Sequence, residues 1–363
     1  MKASSYIMFI AAALLGSACE RTLDFEGPKE ETTNDLIINA LAVEGGDLKV
    51  FLNRAYLVNK TPTQYVDYDH AVFMQDDITT DYVSNYYAHR SSIINADVTA
   101  VVNGQNTYDL QIGSQTYYYT SADYVPQAGD HIVVTASMST KKVSTETVVP
   151  DKPQIEIISH EVIPENPYQE MNGLTNLTDT IVRLTCRIKN TGGEHYYRLR
   201  VRNEGYYYEE TNSDYWNGEK WERLVYSTYL LQDIYFSDDE LFFDNRITKN
   251  FGGWPAYFSN VFDNSLMKDS DYTFTIDSPK AFMTYRYLTD VARGKLPFIP
   301  DRVMVELQAI SPEFYRYLKS VQLYRITETD AYSEPLTIYS NAEGGWGILG
   351  ALSYDRHYVV FGE

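Results

Sequence analysis

ISPEFYRYLKSVQLYRITETDAYSEPLTIYSNAEGGWGILG, residues 310–350, is the stretch whose reading decides the fold. Ser311 can cap a helix, its hydroxyl oxygen accepting from a free backbone N–H of the first turn. Pro312 follows at the first helical position, where its fixed φ suits a helix and its missing N–H costs nothing. Phe314, Tyr317, Leu318, Val321 and Leu323 or Tyr324 then recur at helical spacing, with Glu313, Arg316, Lys319 and Gln322 between them. One apolar stripe of this kind has to cover something. The flanking runs Val303–Leu307 and Leu336–Tyr339 read as strands, so the expectation is a helix near 311–325 packed on a β-sheet. Ser340–Gly347 then reads SNAEGGWG, with neither a Lys-Ser/Thr pair nor a helix start after the glycines, which excludes a phosphate-binding loop. Gly344 and Gly345 fit a tight turn or a close backbone approach before a last strand. Trp346 is the residue there that a ligand would meet.

At the other end of the chain, Lys2 precedes an apolar run from Tyr6 to Leu15 of about ten residues, too short to cross a bilayer of about 30 Å. Gly16, Ser17 and Ala18 lead to Cys19. A signal peptide (1–18) that ends on a cysteine implies lipoprotein processing, with the Cys19 thiol acylated. The usual Leu three positions before the cysteine is Gly16 here, a looser form of that signal. Residues 19–34 continue as CERTLDFEGPKEETTN, polar and acidic, and read as a flexible tether. The chain holds 2 cysteines. If Cys19 is lipidated, Cys186 is an unpaired thiol and no disulfide framework exists. Cys186 alternates in phase with Val182, Leu184 and Ile188, which places it in a core as a small hydrophobe.

Between tether and helix the chain punctuates itself. Short β-type runs are read at Asp35–Val43, Leu48–Val58, Ala96–Val102, Tyr108–Ile112, Tyr117–Thr120, His131–Ser137 and Val143–Val149, with turn signals at Gly45-Gly46, Asn103-Gly104 and Ala128-Gly129-Asp130. Such a series implies an immunoglobulin-like β-sandwich over 35–150, closed by Pro150 and Pro153. Thr61–Ser92, rich in Tyr and Asp, reads as a long excursion. Residues 151–363 read as a larger β-rich α+β domain, sandwich or barrel-like. Its strands are read at Ile155–Val162, Asp179–Lys189, Glu194–Asn203, Leu224–Leu230, Tyr272–Ile276, Arg302–Leu307, Leu336–Tyr339 and Tyr358–Phe361. A second short helix is read at Phe282–Arg293. The fold class is therefore mainly β, with one long helix on the sheet.

Composition narrows the function. A formal charge of −20, from 50 acidic against 30 basic residues, opposes nucleic acid and anionic lipid as partners. The chain holds 33 tyrosines, where an average protein of this length has roughly a third as many. Tyr206, Tyr207 and Tyr208, then Tyr215, Trp216 and Trp221, cluster in a loop-like segment, 205–222. These and Trp346 are the candidate contacts for a ligand or partner. Tyr is also a favoured strand residue, so the same cluster fits a sheet covering. The 6 histidines form no HExxH or H-x₃-H pair, and no acidic run matches a calcium loop, so no metal or other cofactor is expected. No nucleophile elbow is present, and sequence selects no carboxylate pair for a glycosidase, so no catalytic residue is assigned.

The pairing of IS-x-E-x-Y-x-Y-L with a later SN-x-EGG-x-G-I-L-G-A resembles the carboxy-terminal signature of an uncharacterised Bacteroidetes lipoprotein family, domain of unknown function forty-two forty-nine. Leu36–Ala40, Ile94–Val98, Gln127–Asp130, Val148–Pro150 and Phe258-Ser259-Asn260 through Asp263 fit the same family in order. The resemblance implies an accessory lipoprotein of the outer membrane, lipid-anchored and facing the cell surface, beside a TonB-dependent receptor. It brings no catalytic residues with it. The expected function is therefore non-catalytic binding for a TonB-dependent nutrient transporter. The alternatives are a structural or adhesive surface β-sandwich protein and an undetected hydrolase.

Overall fold

The computed structural model describes residues 35–54, 93–113, 118–163, 181–210, 222–227, 235–247, 257–267, 270–279, 299–327 and 337–360. The leader, Cys19, the tether, the 61–92 excursion and the helix expected at 282–293 lie outside these residues. Asp35–Glu363 forms one compact unit, separate from Met1–Asn34.

All seven strands read before residue 150 are present: β1 (Leu36–Val43), β2 (Leu48–Arg54), β3 (Asp97–Val102), β4 (Asn106–Ile112), β5 (Tyr119–Thr120), β6 (His131–Met138) and β7 (Lys141–Val148). Asn103 (φ 54°) and Gly104 (φ 65°) make the turn between β3 and β4, two consecutive left-handed residues whose twist matches the strands they join. Beyond residue 150 come β8 (Ile155–Ile163), β9 (Ile181–Ile188), β10 (Tyr196–Glu210), β11 (Glu222–Ser227), β12 (Val261–Asp263), β13 (Tyr272–Pro279), β14 (Ile299–Ile310), helix α1 (Pro312–Thr327) and β15 (Trp346–Val360). A large sheet runs β11-β10-β14-β15-β1-β2-β5-β4-β3-β6-β7, with β12 added on β10, and a smaller one runs β13-β9-β8. The protein is β-rich, with one helix among the described residues, as the sequence predicts.

The large sheet is mixed because of one pair. β1 runs parallel to β15, Ile37 opposite Trp346 through Val43 opposite Leu352, while its other neighbour, β2, is antiparallel. β1 reads as a nearly continuous apolar run because both of its faces are covered. The first core gathers residues of β1–β4, β6 and β7, and takes Leu349 and Ala351 from β15. The second lies between the two sheets, with Leu184, Cys186 and Ile188 facing Leu199, Val201, Val305 and Leu307. Cys186 is fully buried, and burial pushes its thiol up to about 12, so it is inert there.

The segment expected as a strand at 336–339 differs from that expectation. Among its described residues, Thr337–Tyr339 form no ladder; the Tyr339 N–H donates to Ser320 Oγ of the helix at 2.9 Å. Ile338 and Tyr339 still pack on the core under the helix, so the apolar residues reflect burial without pairing. Immediately after them the chain clasps β7. Glu343 and Ser144 exchange backbone hydrogen bonds at 2.8 and 2.9 Å. Asn341 Oδ1 accepts from Thr145 Oγ1 and the Leu349 N–H, and its Nδ2 donates to Glu146 O and Leu349 O, so all four of its hydrogen-bonding positions are used.

Glycines make the clasp possible. A Cβ on Gly347 (φ 121°) would collide with the Ile38 carbonyl in the neighbouring strand, and one on Gly345 with the Leu36 carbonyl. At Gly350 a Cβ would sit 2.7 Å from the Phe314 ring of the helix. Gly347→Ala is therefore expected to unfold the protein or cost more than about 3 kcal/mol, from left-handed strain and a backbone clash together. Gly104→Ala, left-handed but with open space around it, is expected to cost about 1–2 kcal/mol. Urea midpoints of the two variants check the contrast, and equal losses would mean that close approach at Gly347 is not the constraint.

Candidate functional site

The helix start is built as its sequence requires. Ser311 is buried, its Oγ accepts from the Phe314 N–H at 3.4 Å, and it also accepts from the Ala351 N–H of β15 at 3.2 Å. Phe314, Tyr317, Leu318 and Val321 are buried against Ile310, Ile348 and Leu352. Lys319 and Gln322, which sequence places on the polar side of the stripe, are buried too. They rest on the Phe258–Asp263 segment. Lys319 Nζ donates to Ser259 Oγ at 2.9 Å and to Asp244 Oδ2 at 2.8 Å, Ser259 Oγ donates to Gln322 Oε1 at 2.9 Å, and Gln322 Nε2 donates to Asn260 Oδ1 at 3.1 Å. Arg246 grips the same Asp244 with two nitrogens at 2.9 and 2.8 Å.

Electrostatics in this cluster oppose one another. Burial alone would raise the Asp244 carboxyl, but the hydrogen bonds from Arg246 and Lys319 hold it well below the usual carboxylate range. Burial lowers the Lys319 ammonium, and its bond to Asp244 resists that shift. Every one of these groups has a protein partner. Structural support of the helix accounts for them.

The aromatic candidates do not converge on this cluster. Tyr206, Tyr207 and Tyr208 are in strand β10, opposite Tyr226, Val225 and Leu224 of β11, so this part of the 205–222 segment is hairpin and not loop. Extended backbone suits tyrosine, and the alternating apolar residues Leu224 and Tyr226 supply the partner strand. Tyr215, Trp216 and Trp221 lie outside the described residues. Trp346 opens β15 and is 53% exposed. Among the described residues, no three His, Cys, Asp or Glu side chains are grouped as metal ligands would be.

Among the described residues, one open feature lies between β8 and the far end of β15. A cavity of about 620 Å³ is lined on one wall by Gln154–Ile157, His160 and Lys189, and on the other by Asp355 and His357–Val360. The two walls meet where Ile155 N–H donates to Asp355 Oδ2 at 3.0 Å. His357 Nε2 stands 3.3 Å from Asp355 Oδ2, and Glu156 is paired with Arg187 at 2.7 Å. Tyr358 and Val360 are exposed on the rim, and the Arg302 guanidinium lies 4.1 Å from the Tyr358 ring centre. Sequence reasoning missed this wedge. His160 lies about two hundred residues before the adjacent pair His357 and Tyr358, and only the packing of β8 beside β15 brings them together.

Residues 20–357 match a family described as Domain of unknown function (DUF4249). No curated protein matches the chain. Among solved structures, a protein from Corynebacterium diphtheriae described as membrane anchored is similar at 9% identity, with 85% of this chain and 58% of that chain covered and a TM-score of 0.17. The chain thus spans 58% of the length of that protein.

Removing Lys319 tests the buried cluster. Lys319→Met leaves Arg246 as the only cation on Asp244 and is expected to cost about 3–5 kcal/mol in urea unfolding at neutral pH. The Asp244 carboxyl titrates lower in the folded chain than in the unfolded one. Its stabilisation is therefore complete above the unfolded value, near pH ~4, and is lost as pH falls below it. Asp244→Asn should be less stable at neutral pH and lose less on acidification. An acid limb identical to that of the parent protein would put the acid sensitivity in other groups.

Proposed function

Since the chain belongs to the family described as Domain of unknown function (DUF4249), we propose that it is an outer-membrane lipoprotein that binds for a TonB-dependent nutrient transporter and performs no chemistry of its own. The observation that carries this reading is the division of the chain at Asp35. A compact β body begins there, and what precedes it is an apolar run, three small residues, Cys19 and a polar acidic stretch. Among the described residues no helix is long and apolar enough to cross a membrane. In this reading the attachment is the acyl group on Cys19, each buried CH₂ contributing about 0.8 kcal/mol, so that two or more chains hold the protein firmly.

Binding without turnover suits the surface. The body is strongly acidic and tyrosine-rich, and tyrosine offers broad, rigid contact area with a polar tip. Exposed Trp346 at the start of β15 is one such contact. Facing the cell surface, the body would hold a ligand or dock on the transporter through side chains of this kind.

Cys19→Ser is expected to release a soluble form into the periplasm, followed by fractionation and by metabolic labelling with a fatty acid. Persistent membrane association without label would refute the lipid anchor. Affinity purification from detergent-solubilised outer membranes is expected to bring a TonB-dependent receptor with the parent protein. Its reproducible absence would remove the transporter from the proposal.

A further inference from the structure

We infer that the end of the β body at which the chain enters from residues 19–34 is a lipid-facing surface, with Trp346 seated among the headgroups of the membrane that holds Cys19. The inference rests on the reading that Cys19 is acylated, and it gives exposed Trp346 a lipid partner in place of a soluble ligand. β1 and β15 run parallel and start side by side, Ile37 opposite Trp346. Asp35, where the body begins, therefore stands at the Trp346 end of β15, and the chain that precedes it leads back to Cys19. Residues 19–34 span about 20–25 Å as a coil and at most about 55 Å when extended. Val360, at the other end of β15, lies about 45 Å further from that attachment at the usual strand rise. The anchor thus holds one particular end of the body beside the lipid. A contact too weak to bind a free protein suffices there, because the tether keeps its effective concentration high.

The residues at this end suit a membrane interface. Trp346 is 53% exposed, on a backbone pinned on both sides. The Gly347 N–H donates to Ser340 Oγ at 3.0 Å, Gly347 O accepts from the Asn341 N–H at 3.2 Å, and Glu343 is tied to Ser144. An indole is broad and amphipathic, which places it at the headgroup level of bilayers. Beside it β7 begins with Lys141 and Lys142, and a Cβ on Gly344 would lie 2.5 Å from the Lys142 carbonyl oxygen. Arg54 ends β2 opposite Leu36, and its Nη2 donates to Met138 Sδ at 3.8 Å, so β2 and β6 finish at the same end. Ile94 follows Ile93, whose N–H donates to Leu52 O at 2.7 Å, and it is 60% exposed. A single exposed apolar residue needs no partner. Here two large ones lie at the end to which the tether is joined.

Charge permits the contact at this end, although the chain as a whole carries −20. Among the described residues here, Arg54, Lys141 and Lys142 stand against Asp35, Asp97 and Glu343, an even balance. Asp35 Oδ1 lies 3.6 Å from Lys141 Nζ, which offsets that carboxylate locally. Such a surface is neither drawn to an anionic leaflet nor repelled by a zwitterionic one. Phosphatidylcholine or phosphatidylethanolamine headgroups therefore fit it, with the lysine and arginine heads reaching phosphate while their stems lie on apolar surface.

The test uses the full mature chain, residues 19–363, coupled through the Cys19 thiol to a maleimide lipid in phosphatidylcholine vesicles. Cys186 is buried and does not compete for the reagent. Part of the phosphatidylcholine carries bromine on its acyl chains, which quenches tryptophan fluorescence on contact. Trp346 is one of 4 tryptophans, so the difference between the parent chain and Trp346→Phe is the reading. The parent is expected to lose fluorescence on brominated vesicles, and Trp346→Phe to lack most of that loss while keeping its urea midpoint. Absence of quenching in the coupled parent, or equal quenching in the variant, overturns the inference. So does receptor recovery that falls in Trp346→Phe while brominated lipid leaves the parent's fluorescence unchanged, which would give Trp346 to a protein partner. A failed quenching test leaves the anchor standing. A native Cys19 without fatty acid removes the anchor, and the membrane contact with it.

Discussion

The separation between β1 and β15 is set by what their backbones carry at the contact, and at Gly345 and Gly347 they carry nothing. The carbonyls of Leu36 and Ile38 occupy the space that a Cβ would need. Because β15 lies that close, it can contribute to three packed regions at once. Leu349 and Ala351 enter the first core, Ile348 and Leu352 meet the helix, and Val359 closes the second core. Gly350 completes the arrangement by letting the Phe314 ring rest on the strand. Ser311 then joins helix and strand chemically, since one hydroxyl oxygen serves the helix cap and the β15 backbone together.

A helix that covers a strand would normally be amphipathic, with charges turned to water. Here the polar residues are needed on both sides. Lys319 and Gln322 leave the apolar stripe only to meet Asp244, Ser259 and Asn260, the last two immediately before β12. A buried ammonium carries a desolvation cost, and a carboxylate at 2.8 Å with further hydrogen bonds offsets much of it. The return is in geometry. Each of these bonds fixes where the Phe258–Asp263 segment lies under the helix, which a purely apolar contact would leave free to slide. The same logic holds on the sheet, where Glu306, 2% exposed, accepts from Arg356 of β15 and from Gln308 Nε2 at 2.7 Å.

Local chemistry was legible in the sequence, and long-range pairing was not. Alternation and turn residues located β1 to β7, and Asn103-Gly104 named its own turn type, because these depend on a few neighbouring residues. The helix cap at Ser311-Pro312 was readable for the same reason. By contrast, nothing in Leu36–Val43 states that it will lie parallel to a strand that begins at Trp346. Apolar residues at 336–339 signal burial, and burial alone cannot distinguish a strand from a segment pinned by Ser320 Oγ. Tyr206–Tyr208 looked like loop because tyrosine clusters suit exposed contacts, while the partner strand Glu222–Ser227 decided otherwise. The wedge was invisible for a further reason: it is the gap left where β1 stops before β14 does.

That gap is a fixed feature of the sheet. β14 accompanies β15 to Val360, whereas β1 ends at Val43 in a turn closed by the Gly46 N–H on Val43 O at 2.9 Å. Lengthening β1 would require undoing this turn and the Glu44 contact with Leu352, so no small motion fills the step. The edge beyond it is held straight by its pairing with β14 and by Arg302 over Tyr358.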